Sequence, residues 1–245
     1  MLTAGFELAC ERLRNSSLDG PPIGLNPIAE VRLTDVAIRA TELEQGRGHR
    51  SPADPPITTG AIYPIWEDQA AYQNELAIHI AHLHAERRAQ LEHDMVLAFA
   101  DNAATLSAAT KAAGKVLYRG LVGDPTFPLT ISLVAATGDP RIREAMLHNT
   151  TENHTIVPVM DMTVKLRGAR VVEPFSTESL YRCFRALIDG LLVQRMLDPD
   201  YFAALDEKLA SGSFGEQGDA QEEAWTLLSR ATHALILGFT EPDRG

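Results

Sequence analysis

Apolar residues recur at spacings of three and four along most of this chain, and no run alternates strictly between polar and apolar as a half-buried strand does. The pattern predicts an all-α fold. A first amphipathic helix is expected over Thr3 to Asn15, with Phe6, Leu8, Ala9 and Leu13 on its inner side. SSLDGPPIGLNPIAE breaks it, and a second helix follows from Leu33 to about Glu44, with Thr34 as its N-cap and Val36, Ala37 and Ala40 facing inward. The segment EQGRGHRSPADPP has the Gly, Pro and charge content of a loop. Next comes a short helix from Thr58 that ends near Tyr63, because Pro64 lacks an N–H and restricts the residue before it.

A longer helix is predicted from about Asp68 to Arg88, where Tyr72, Leu76, Ile80 and Leu83 share one side. Further helices are expected over Ala98 to Leu121, Phe127 to Ala136 and Arg141 to about Gly168, the last kinked or broken at Pro158. Ser176 or Thr177 caps the next, whose apolar face is wider than one neighbour needs. Asp198, Pro199 and Asp200 open a short helix to Leu209, SGSFGEQGDAQ reads as a linker, and a final helix runs from Glu222 to Phe239. Two wide apolar helices near the C-terminus suit a four-helix bundle with a second copy. Its expected dimer residues are Tyr181, Leu187, Ile188, Leu191 and Leu192, together with Leu228, Leu235 and Phe239.

Composition narrows the class. The chain has 245 residues, 45% hydrophobic and 22% charged, enough for one large domain or two small ones with a real core. No apolar run reaches membrane-spanning length, and MLTAGFELACERLR is too charged for a signal peptide, so a cytoplasmic protein is expected. Cys10 and Cys183 fit neither a metal spacing nor a disulfide framework and read as small buried hydrophobes. A net charge of −11 argues against broad coating of nucleic acid but leaves room for one small, dimer-presented DNA contact.

The stretch ITTGAIYPIWEDQAAYQNEL holds the most specific chemistry. Thr58, Thr59 and Gly60 put small groups at a helix start, where backbone N–H groups suit phosphate, and Tyr63 and Trp66 follow as an aromatic corner. LTDVAIRA followed by TTGAIYPIWEDQAAYQNEL resembles the helix-turn-helix and following helix of the TetR family of transcriptional regulators, and FRALIDGLLVQRMLDP is similar to that family's dimer-helix segment. With the order of helices between them, the likeness covers most of the chain. It implies a homodimer with an N-terminal DNA-binding domain over residues 1–68 and a helical domain over 69–245 that takes a small-molecule effector and forms the dimer. The implied activity is ligand-responsive repression at a pseudo-palindromic operator, without a cofactor.

Carried onto this sequence, the resemblance makes Thr58 to Ile62 the recognition helix, Tyr63 a phosphate contact, and Gln69 the occupant of a position where lysine is common. Thr34, Thr59, Gly60 and Ala61 complete the expected DNA face. The turn departs from the family, with an insertion at about 45–56 that carries Arg47 and Arg50. Two readings of it stand open: a basic flap that adds DNA contacts, or a disordered surface loop. The alternative function is a TetR-like dimer whose divergent head senses a small molecule or binds a protein without ordinary operator binding.

The effector pocket is expected between helices and is apolar or amphipathic in its preference. Its candidate residues are Leu117, Tyr118, Phe127 and Leu133, with Met146, His154, Met160, Met162 and Phe184. His79, His82, His84 and His93 lack a carboxylate or cysteine to complete a metal set and read as core or solvent histidines. Ser107 and Ser211 lack a nucleophile-elbow setting and no phosphate loop is present, so no catalysis is expected.

Residues 1–66 carry six arginines and no lysine against eight carboxylates. A head of this charge should bind random duplex modestly, with a shallow dependence on salt. A fluorescence titration showing tight, steeply salt-dependent binding to random duplex would contradict this.

Overall fold

The computed structural model describes residues 1–15, 27–102, 105–133, 140–144, 156–166, 168–210 and 226–243. It is mostly helical and divides into two compact units, one of residues 1–87 and 125–151, the other of residues 88–124 and 152–245. The division therefore does not fall at residue 68. The first core extends well into the long helix, through Tyr72, Leu76 and Ile80, and also takes in Leu129, Leu133 and Ile142 from much later in the chain.

In the first unit, α1 (Leu2–Asn15) packs on α2 (Leu33–Gly46), and a single 3-10 turn, η1 (Thr59–Ala61), packs on α2. The head of α3 (Gln69–Asp101) and α5 (Thr126–Leu133) complete it, with α5 lying against α1. Val36, Ala37 and Ala40 of α2 are buried, as their spacing predicts. A Cβ on Gly5 would collide with the Tyr72 hydroxyl, which donates to the Met1 carbonyl at 3.2 Å; glycine lets α1 lie directly against Tyr72. Burial pushes the Tyr72 phenol far above its ordinary pKa.

Helix α3 runs 33 residues, well past the predicted end at Arg88. No Gly or Pro stands between Asp68 and Asp101 to stop it, so polar residues such as Glu92, His93 and Asp94 remain helical. Its end comes where Asn102 bonds back to the Ala98 carbonyl at 2.8 Å and Thr105 caps the next helix by accepting from the Ala108 N–H at 3.1 Å.

The second unit contains the rest of α3, α4 (Leu106–Val122), α6 (Ile156–Leu166), α7 (Thr177–Leu197), α8 (Pro199–Ala210) and α9 (Leu227–Phe239). Pro158 is the third residue of α6, and residues 145–155, where the predicted kink or break would be read, lie outside the described residues. Two short strands that the hydrophobic pattern does not reveal, β1 (Ala169–Val171) and β2 (Thr240–Pro242), pair antiparallel with Arg170 opposite Glu241. Arg170 and Glu241 form an ion pair at 2.7 Å across this ribbon. Gly168 enters β1 with φ of 63°, a conformation that favours glycine.

Ser176 and Thr226 cap α7 and α9 through reciprocal bonds with Ser179 and Ser229. Between α3 and α7 lies a buried ionic group: Arg88 binds Asp189 at 2.6 Å, and Tyr181 donates to Glu92 at 3.2 Å. Burial pushes the Glu92 carboxyl above its ordinary range, against the pull of Arg185 and Arg88. No helix among the described residues is long and apolar enough to cross a membrane.

In the second unit α4 and α9 approach each other backbone to backbone. A Cβ on Gly114 would stand 2.5 Å from the Ser229 Cβ and 2.8 Å from its Cα. Gly114→Ala should therefore lower stability by about 1–3 kcal/mol, read as a lower urea midpoint. An unchanged midpoint would mean that the two helices do not meet there.

Candidate functional site

The surface turn that carries the expected DNA face is built on two buried anchors. Ile62 is fully buried, and Trp66 meets Tyr72 edge to face at 5.0 Å between ring centroids. The Tyr63 N–H bonds the Thr59 carbonyl at 3.1 Å, and the Ile65 and Trp66 N–H groups bond the Ile62 carbonyl at 2.9 and 3.1 Å. These bonds hold Thr58, Gly60, Ala61 and Tyr63 outward, with Tyr63 54% exposed and Thr59 half-buried. The helix expected here is one 3-10 turn, because Pro64 prevents it from continuing.

The remaining expected DNA contacts are more scattered. The N-cap position of α2 is Arg32 rather than Thr34; Thr34 lies exposed in the first turn and shares a 3.4 Å contact with Asp35. Gln69 is exposed as the first residue of α3, whose start is capped by Asp68, accepting from the Ala71 N–H at 2.7 Å. Ile38 and Ile65, 60% and 63% exposed, are large apolar groups on the same unit's surface that the sequence reading missed. Their isoleucine identity gives no signal, since helical periodicity alone marks such residues as inward.

The insertion is neither a free flap nor a loop without structure. Its start prolongs α2 to Gly46, and the His49 and Arg50 N–H groups bond the Glu44 carbonyl at 2.9 and 3.2 Å. Asp54 accepts from the Ser51 N–H at 2.7 Å, and the Thr41 hydroxyl accepts from the Ile57 N–H at 2.9 Å, closing the segment onto α2. Arg47 pairs with Glu44 at 3.5 Å, and the Arg50 guanidinium donates to the Pro55 carbonyl. Elsewhere in the unit Arg12 pairs with Asp35 and Arg39 with Glu11, each at 2.6 Å. The head's arginines are thus largely engaged with its own carboxylates and carbonyls.

The second unit holds a cavity of about 420 Å³ walled by α3, α6, α7 and α9 and bordered by the β1–β2 ribbon. Beside it, sharing Met95, Phe99, Met160, Leu180 and Ile236 as walls, lies a smaller inner chamber of about 60 Å³ that reaches Thr110, Gly114, Phe184 and Thr232. Among the expected pocket residues, Met160 lines both spaces and Phe184 the inner one. Leu117 is buried in the second unit without lining either, and Met162 is exposed. Tyr118 is held by Asp206 and Arg195, and burial raises its phenol pKa. Phe127 and Leu133 belong to the first unit, where Phe127 lies beside His84, itself bonded to Thr126 at 3.0 Å. Met146 and His154 lie outside the described residues. Met95, Phe99, Leu180 and Ile236, which line both spaces, escaped the sequence reading because they are ordinary apolar positions at helical spacing.

The expected dimer residues divide likewise. Tyr181, Ile188, Leu192 and Leu228 are buried inside their own unit and are not available to a partner surface. Leu187, Leu191 and Leu235 are half-buried, and Phe239 is half-buried with its ring 5.2 Å from that of Phe175. The exposed side of α7 carries Cys183, Ala186 and Gly190 beside Arg182 and Gln194, and that of α9 carries Ala234 and Gly238 beside Arg230 and Leu237; Cys183, expected as a buried hydrophobe, is exposed. Among the described residues no group of three or more His, Cys, Asp or Glu is placed to hold a metal ion. Comparison with protein-family models, curated proteins and solved structures returns no match.

The two sides of the surface turn should respond differently to truncation. Ile62→Ala removes a fully buried anchor and should cost about 2–5 kcal/mol, whereas Tyr63→Ala should stay within about 0.5 kcal/mol. Denaturant unfolding followed by circular dichroism measures both; equal losses would mean that Tyr63 is also part of the core.

Proposed function

We propose that this chain is a ligand-responsive transcriptional regulator of the TetR type, acting as a homodimeric repressor on a pseudo-palindromic DNA operator. The observation that carries the reading is the outward strip Thr58 to Tyr63 fixed on Ile62 and Trp66, a small polar and aromatic edge on a rigid base. Such an edge fits a major groove, with Tyr63 reaching a phosphate. The apolar cavity of the second unit suits an effector, and the small residues on the open faces of α7 and α9 suit close packing of a second copy. An effector that binds one head separation better than another would shift the dimer between operator-fitting and non-fitting states.

A second reading is favoured by the engaged arginines: a dimer of this type whose head binds a protein, or leaves sensing to the second unit, without ordinary operator binding. Repeated selection from random duplexes separates the two. The regulator should enrich a palindrome, and Tyr63→Ala should weaken binding to it by about tenfold with the dimer intact, the loss of one charge-assisted phosphate contact. No enrichment supports the second reading, and unchanged binding by the variant removes Tyr63 from the contact set.

A further inference from the structure

A wall residue of the second unit's inner chamber carries a buried polar atom without a partner among the described residues. Helical threonines in this protein characteristically return their hydroxyls to the carbonyl four residues back: Thr41 to Ala37 at 2.9 Å, Thr110 to Leu106 at 2.7 Å, Thr130 to Thr126 at 2.8 Å. Thr232 of α9 departs from this habit. Its side chain is buried, and its Oγ1 is shut off from solvent with no hydrogen-bond partner among the described residues. A buried hydroxyl left unpaired costs about 1–3 kcal/mol, a cost that valine, of nearly the same shape, would avoid. Thr232 also lines the inner chamber.

The chamber's other walls restrict what can satisfy that hydroxyl. Its volume of about 60 Å³ exceeds the roughly 10–15 Å³ that one water needs. A buried water also needs two to four polar partners, roughly; the neighbouring Thr110 hydroxyl gives its proton to the Leu106 carbonyl and offers only lone pairs. The remaining walls, Met95, Phe99, Phe184 and Leu235 among them, are apolar. No charged side chain stands among the described residues that line the chamber, so a carboxylate or ammonium would enter it without a counter-charge. Among the described residues that line the wider outer cavity the one charged residue, Glu241, is already paired with Arg170 at 2.7 Å.

We propose that this cavity takes a neutral amphipathic small molecule, with an apolar body in the outer space and a single alcohol or carbonyl oxygen at the inner end, held by the Thr232 hydroxyl. The walls shared by the two spaces, Met95, Phe99, Met160, Leu180 and Ile236, are all apolar and flexible enough to let the body reach from one to the other. Met95 and Met160 adapt its width. The proposal rests on reading the second unit as an effector-binding domain, and it needs no DNA to be tested.

The test uses the purified full chain loaded with the neutral fluorescent dye N-phenylnaphthylamine, which carries no oxygen. Decanol, decanone, decanoate and decylammonium, matched in chain length, are then titrated as competitors. Decanol and decanone should displace the dye, with the two charged compounds at least about tenfold weaker, the order expected when an unpaired charge is buried. Thr232→Val should weaken both neutral competitors by about tenfold, one hydrogen bond's worth, and leave dye affinity unchanged. Thr232→Ser should restore them, and Thr110→Val, whose hydroxyl proton already goes to the Leu106 carbonyl, should leave decanone binding unchanged. Charged competitors that bind as tightly as decanol overturn the proposal, as does a Thr232→Val chain that binds decanol like the parent; in either case the dye still reports a ligand cavity. If the dye fails to bind the folded parent chain, the effector-domain reading falls and this proposal with it.

Discussion

Gly114 has no side chain because Ser229 occupies the place where one would go. That contact brings the backbones of α4 and α9 together, and much of the second unit follows from it. Ser229 is also the third residue of α9, where its hydroxyl accepts from the Thr226 N–H at 2.9 Å while its own N–H bonds Thr226 Oγ1 at 3.1 Å. A glutamate, the usual partner in such a cap, has no room against α4. Serine is small enough for the close approach and polar enough for the cap. With the start of α9 so fixed, the helix carries Thr232, Leu235 and Ile236 to the cavity, and its continuation as β2 pairs with β1 along the cavity's border.

In the first unit the governing constraint is electrostatic as well as steric. The turn is held by burial of Ile62 and the Trp66–Tyr72 contact, neither of which depends on charge. The arginines, in contrast, are spent on neighbours such as Asp35, Glu11 and Glu44. These pairs are partly or largely exposed, and pairs of that kind are worth about 0–1 kcal/mol each. A phosphate can compete for such an arginine at little cost, so the ion pairs weaken the case for DNA binding without removing it. What they do remove is a standing positive field: the carboxylates remain beside any arginine that turns outward, and attraction at long range stays small.

The sequence carries the fold more readily than the site. The spacing of Val36, Ala37 and Ala40 marks the buried face of α2, and Ser176 and Pro199 mark helix starts, because each signal is local. The length of α3 is less legible, since a polar stretch free of Gly and Pro gives no stop and no strong periodicity either. The β1–β2 ribbon is invisible because three-residue strands have no room for an alternation. The cavity is harder still. Met160 and Phe184 were found among its walls, but Leu180 and Ile236 look like any core residue, and which apolar positions face a void depends on how helices distant in sequence meet. The same limit applies to the proposed dimer face. A wide apolar stripe marks burial, and Tyr181, Ile188 and Leu192 are buried by their own chain, whereas small residues such as Gly190 and Ala234 are easily passed over.

Helix α9 links the parts of the proposed function that reside in the second unit. Its residues Leu235 and Ile236 line the inner chamber, while Ala234 and Gly238 lie on the exposed side that the proposed second copy would cover. A ligand that fills the chamber and a partner that packs on the outer face therefore press on opposite sides of the same few turns. Small residues make such an interface sensitive, because backbones in close contact tolerate little displacement before contacts are lost. An effector changes dimer geometry only to the extent that it binds one position of α9 better than another. A hydrogen bond to Thr232 is an interaction of that kind: it is directional, whereas the apolar walls accept a ligand in many poses, so it is the contact whose strength varies most as α9 moves.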